Sequence, residues 1–106
     1  MKIVKGKIDK DTYILHLFIA GTTSNATRAI LNIKKICTQY LKGRFELHVI
    51  DIYQQPKKLV SEQITAIPVL VRKFPLPEKI LIGDLSDYEQ VLKGLNITID
   101  VKEEVA

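Results

Sequence analysis

Between Thr12 and Ala20 the chain reads TYILHLFIA, apolar at almost every position and rich in β-forming residues, the pattern of a strand covered on both faces. From Ala26 the period changes. Ala26, Ala29, Ile30, Ile33, Ile36, Cys37, Tyr40 and Leu41 share one stripe, whereas Arg28, Lys34, Lys35 and Thr38 point mostly away. This predicts an amphipathic helix of about four turns, stopped by Gly43. RFELHVIDI (Arg44–Ile52) then reads as a second strand, so the first half is a β-α-β unit with parallel strands and an expected right-handed crossover.

The second half is more broken. QPKKLVSEQI can form a short helix entered at Pro56, where a missing N–H costs nothing. IPVLVRK (Ile67–Lys73) is a strand with Pro68 at its start, since proline cannot donate inside a ladder. FPLP is a turn and EKILIG (Glu78–Gly83) a further short strand. SDYE (Ser86–Glu89) reads as a capping box in which Ser86 accepts from the Glu89 amide. A last helix is expected from Asp87 to about Lys93, burying Val91 and Leu92, with Gly94 placed to end it. The order β-α-β-α-β-β-α, with a proline opening the third strand, is the layout of a thioredoxin-like α/β fold. Pro68 is its candidate cis-proline. One domain over residues 1–106 is expected, with polar ends at 1–11 and 100–106 that fray.

Composition narrows the function. With 106 residues, 46% of them apolar, a single domain can remove roughly two-thirds of its unfolded surface from water without a disulfide or metal. The 16 Lys and Arg exceed the 12 Asp and Glu by a formal charge of +4, with the excess in residues 1–53. That bias is mild beside the concentrated basic face of a nucleic-acid binder, which stays only as a third reading. Cys37 is the single cysteine and permits no internal disulfide, and no apolar run approaches the ~20 residues of a membrane span. A cytoplasmic, reducing location is expected, with no membrane or nucleic-acid partner.

The corner FIAGTTSNATRAI is where a thioredoxin-like protein keeps its dithiol. Residues Gly21 to Arg28 contain no cysteine, so exchange through a thiolate at the helix entrance is excluded there. One glycine and no G-x-x-x-x-G-K-[ST] leave no phosphate cradle. Thr22, Thr23, Ser24 and Asn25 read instead as helix caps, with a weak anion or partner contact as the lesser alternative. His16 and His48 fall inside strands and read as packing residues, not metal ligands. Cys37 lies on the apolar stripe as a small buried hydrophobe. Asp84 and Asp87 suit a helix N-terminus. No nucleophile, base and orienter assemble, so no enzyme, metal or cofactor is expected. The runner-up is a thioredoxin-like redox or stress protein using Cys37 alone.

FIAGTTSNATRAI, LHVIDI, the Pro56 turn and AIPVLVRKFPLPEKILIGDLSDYEQVLKGLNI together resemble the KaiB family of circadian-clock proteins over Tyr13 to Ile97. The N-terminal sensor domain of the clock kinase SasA is similar too. The resemblance implies a dithiol-free thioredoxin-like adaptor that docks on the hexameric ATPase KaiC and, in cyanobacteria, captures KaiA. It places partner contacts at Pro56, Lys57, Lys58 and Glu62, and at Glu46 and His48 on the second strand. The family typically carries an acidic stretch after the Pro56 position; here Lys57 and Lys58 are followed by Leu59, Val60 and Ser61, with Glu62 the one acid kept. Glu46 and His48 likewise replace smaller and basic residues. Such charge changes tune partner choice; read from the residues alone, Lys57 and Lys58 are either a solvated face or a partner contact.

The resemblance also implies fold switching, between a tetrameric ground state ordered β-α-β-β-α-α-β and a monomeric thioredoxin-like form that binds KaiC. A homo-oligomer, dimer or tetramer, follows from it. Gly94 and Asn96 occupy the switch-sensitive helix end. The residues agree in one respect: after Asp51 the apolar runs PVLV, KILI and GLNITIDV are ambiguous between strand and helix, and Ile97, Ile99 and Val101 alternate like an additional strand.

Overall fold

The most apolar segment becomes the middle of the sheet. In the computed structural model, which describes residues 12–97, β1 (Tyr13–Ile19) buries Leu15 and Leu17 on one face and Phe18 on the other. β2 (Phe45–Asp51) runs parallel to it, with Leu17 opposite Val49. β3 (Val69–Phe74) lies antiparallel on its other side, with Phe18 opposite Val69, and β4 (Lys79–Ile82) pairs antiparallel with β3. The sheet order is β2-β1-β3-β4, so β2 and β4 are the edges. The ends expected to fray, and Ile99 and Val101 of the alternating stretch, lie outside the described residues.

α1 (Ser24–Tyr40) buries Ala26, Ala29, Ile33, Ile36 and Cys37, the stripe expected from its period, with Ile30 and Tyr40 partly covered. The Thr23 hydroxyl accepts from the Ala26 amide at 3.1 Å and caps its start. After Tyr40 the chain turns through Gly43, whose φ of +75° lies in the left-handed region. α2 (Lys57–Ser61) follows Pro56 as expected, and α3 (Tyr88–Leu95) completes the order β-α-β-α-β-β-α. One large core joins α1 and α3 to Leu15, Leu17 and Leu70; a smaller one on the opposite face joins Phe18, Ile50, Val69 and Val71 to Ile52, Ile64 and Ile67. The Ile67–Pro68 bond is cis.

Two details of α3 differ from the sequence reading. Its cap is Asp87 and not Ser86: the Asp87 carboxylate accepts from the Gln90 amide at 3.2 Å, while the Ser86 N–H donates to Asp84 Oδ1 at 3.0 Å. A charged acceptor complements the helix dipole better than a hydroxyl, and Leu85, buried with φ of +64°, sets where the chain turns in. Nor does Gly94 end the helix. Asn96 does, at φ 60° and ψ 41°, with its N–H on Lys93 O (3.0 Å) and the Ile97 N–H on Leu92 O (2.9 Å). This is the Schellman pattern, and asparagine tolerates its left-handed residue. Gly94 instead lies inside the helix, where a Cβ would overlap Leu81 of β4.

Candidate partner-binding surface

The empty redox corner is tied shut by backbone bonds. Asp51 Oδ1 accepts from Gly21 N–H (3.1 Å) and from Tyr53 N–H (2.9 Å). Gly21 has φ +69°, and a Cβ there would come within 3.2 Å of Tyr53 Cε2. Glycine is needed at this position on both counts. Cys37 is buried in α1, and burial pushes its thiol up to about 12. A thiol so held is neutral and shielded at physiological pH, which removes the basis for redox work at that residue.

A cluster of titratable side chains lies on the sheet face opposite α1 and α3. By strand alternation His16, Glu46 and His48 share this face with Phe18 and Ile50. Parallel register sets His16 directly opposite His48, their rings edge-on at 5.0 Å, and His48 Nε2 lies 3.0 Å from Glu46 Oε1. Next to them Lys73 bridges Glu62 and Glu78, at 3.1 Å to each. The Lys73 hydrogen bond holds the Glu62 carboxyl below its usual range, and Glu62 in turn raises Lys73. Glu62 is thus ion-paired to Lys73 on this face.

Lys57 is exposed and Lys58 half-buried, and with Gln54, Gln55, Pro56 and Ser61 they line an open hollow of about 420 Å³. On either side of them in the sequence are two apolar side chains that the sequence did not single out: Val60 is 82% exposed and Tyr53 73%. Cations flanking exposed apolar groups suit protein recognition. The structure thus brings Pro56, Lys57 and Lys58 together on α2 and places Glu46 and His48 on the β2 edge. Gly94 and Asn96 belong to α3, on the other side of the sheet. The exposure of Val60 and Tyr53 had no signal beyond the shortness of α2, which is too brief to bury a stripe. Among the described residues no group of three or more His, Cys, Asp or Glu side chains could hold a metal, and no helix is long and apolar enough to cross a membrane.

His16 gives this face a pH response. Its pKa lies below the ordinary 6.5, first because of burial and then through His48, Lys73 and Lys58, with Glu62 opposing. Its Nδ1 is buried without a partner. Unfolding frees the ring to take up a proton, so its contribution is present above 6.5 and lost as pH falls below that value. Urea midpoints measured between about pH 5 and pH 8 should decline on the acid side, and His16→Leu should flatten that decline. An unchanged slope in the variant would assign it to other groups.

Fold and corner together define a thioredoxin-like α/β domain whose helix entrance carries no thiol. Residues 16–97 match the KaiB domain family, and the chain belongs to that family. The circadian clock oscillator protein KaiB of Prochlorococcus marinus subsp. pastoris is 42% identical over 93 residues, 88% of this chain and 87% of that protein. Circadian clock oscillator protein KaiB1 of Synechocystis sp. is 42% identical over 91 residues, 86% of this chain and 87% of that protein. Among solved structures, the N-terminal domain of Synechococcus elongatus SasA superposes with a TM-score of 0.67 at 22% identity, covering 91% of this chain and 94% of that one. Mitochondrial thioredoxin 3 of Saccharomyces cerevisiae gives 0.65 at 17% identity, covering 84% and 81%. The last two share the fold.

Proposed function

We propose that this protein is a non-enzymatic, cytoplasmic adaptor that binds a KaiC-type ATPase and regulates its phosphorylation or activity, in a clock-like or stress-response system. The observation that carries the reading is family membership together with the α2 segment, where Lys57 and Lys58 lie in sequence between the exposed Tyr53 and Val60, while the redox corner holds no thiol. The basic pair favours an acidic docking site on the ATPase. Capture of a KaiA-like protein would use the β2 edge, where the Glu46–His48 pair stands in its path. On this reading the chain also has a second, oligomeric fold, dimer or tetramer, ordered β-α-β-β-α-α-β.

Biolayer interferometry with a KaiC-type protein tests the docking surface. Lys57→Glu combined with Lys58→Glu should slow association roughly tenfold at low ionic strength, and by less as salt screens the charges. Equal rates for wild type and variant at two salt concentrations would return both lysines to a solvated face. Dithiothreitol-driven insulin reduction should stay at background, because the only thiol is buried and neutral. A rate that disappears in Cys37→Ser would overturn the adaptor reading in favour of a redox one.

A further inference from the structure

His16 and His48 are the chain's 2 histidines. Nothing in the sequence joins residue 16 to residue 48, and each read singly is a packing residue within its strand. Parallel register changes that. His16 of β1 and His48 of β2 are direct Cα partners on one sheet face, with ring centroids 5.0 Å apart and the rings edge-on. Glu46, two residues before His48 and on the same face, sets its Oε1 3.0 Å from His48 Nε2. Two imidazoles on neighbouring strands, one of them backed by a carboxylate, are thus gathered beside the β2 edge.

We infer that this pair binds a divalent transition-metal ion of the zinc class, with one nitrogen of each ring as ligand and water in the remaining positions. Imidazole suits such ions. Two bonds of about 2.0–2.1 Å at a tetrahedral angle need ring nitrogens about 3.3 Å apart. Rings whose centroids lie 5.0 Å apart reach that spacing by turning in place. His48 Nε2 faces the Glu46 carboxylate, which leaves Nδ1 as the ligand atom of His48. A carboxylate on the outer nitrogen of a ligating histidine fixes its tautomer and makes the other nitrogen more basic. In His16 the Nδ1 atom is shielded without a partner, which leaves Nε2 as its ligand atom.

The surrounding charges permit this. Lys73 is already bridged by Glu62 and Glu78, at 3.1 Å to each, so its charge is met within the fold. Lys58 is the other cation that acts on His16, Glu62 acts against it, and Glu46 adds a negative charge beside His48. Cys37, the only thiol, is buried in α1 and does not compete for the ion. Two protein ligands are fewer than the four of a structural zinc centre or the three of a catalytic one, so the ion exchanges readily. When bound it clips β2 to β1 and places a double positive charge beside the β2 edge.

Calorimetric titration of the full chain with zinc chloride, after a chelator has stripped any metal, should show one equivalent bound. His16→Gln and His48→Gln should each weaken binding by more than about tenfold, and Glu46→Gln, which removes the outer carboxylate's charge, by about tenfold. The His48 and Glu46 side chains are exposed, so those two variants keep the fold, as an unchanged circular dichroism spectrum would show. Imidazole NMR supplies the readout that a packing contact would not move: both rings should shift along one binding curve that saturates at one equivalent. No binding at millimolar zinc overturns the proposal and returns the pair to packing. So does binding that survives in both histidine variants, or a titration in which one ring shifts and the other does not. No ATPase takes part in these measurements, so the metal site and the adaptor reading fail separately.

Discussion

Arg72→Met should lower stability by about 3 kcal/mol, the largest single effect expected outside the apolar core. Arg72 is 3% exposed and sits within β3, opposite Lys79 of β4. Its Nη1 donates to Leu95 O and its Nη2 to Pro77 O, both at 2.7 Å, while Nε has no partner. Two charge-assisted bonds contribute roughly 1.5–3 kcal/mol each, and removing them takes one donor from Pro77 O and one from Leu95 O, which keeps the Tyr13 hydroxyl at 3.1 Å. Against this, methionine relieves the desolvation of a guanidinium whose bonds go to carbonyls, which offsets part of the loss. The bonds outweigh the relief because the guanidinium joins the end of α3 to the β3–β4 turn. Arg72→Lys should fall between, as an ammonium is a point donor and not a fork. Urea unfolding ranks the three proteins. Amide exchange in α3 should rise more than in α1 for Arg72→Met; a variant within about 1 kcal/mol of wild type, with α3 exchange unchanged, would show the clasp to be idle.

Arg72 also marks the limit of what the sequence displays. In IPVLVRK it reads as the polar end of a strand, and its burial depends on backbone carbonyls from residues 77 and 95, which leave no trace in residue type. β1 and α1 were legible because their periods are long and uninterrupted, and each buries the positions that its period selects. The edge strand was legible only as a strand. KILI looks like core, yet Ile80 and Ile82 are exposed because nothing pairs beyond β4 among the described residues. The His16–His48 contact depends on strand register, which neither strand specifies alone. Of the candidate site, the α2 lysines were placed correctly on a short helix after Pro56, but Glu62 was not separable from them until Lys73 was seen to hold it.

Gly94→Ala should destabilise the thioredoxin-like fold, the reverse of what helix propensity alone dictates. Alanine in a helix interior is worth up to about 1 kcal/mol over glycine, so at an interior position of α3 with open space around it the substitution would be favourable. Gly94 lies inside α3, packed against β4. An added Cβ would overlap Leu81 Cδ2 and lie 3.2 Å from both Cδ1 and Cγ. Extra volume of this kind costs about 1–3 kcal/mol where the neighbour cannot withdraw. Leu81 is packed against the α1–α3 core, so its side chain yields only in part, and the net loss should be about 1 kcal/mol. Leu81→Ala removes the colliding atoms. In that background Gly94→Ala should become stabilising by up to about 1 kcal/mol, a coupling of about 2 kcal/mol between the two positions. Urea unfolding of the four proteins measures it directly. A stabilisation of the same size in both backgrounds would mean that α3 does not press on β4. If the proposed second fold releases this contact, Gly94→Ala should move population toward it, visible as new NMR peaks for residues beyond Asp51, and the added Leu81→Ala should reverse the shift.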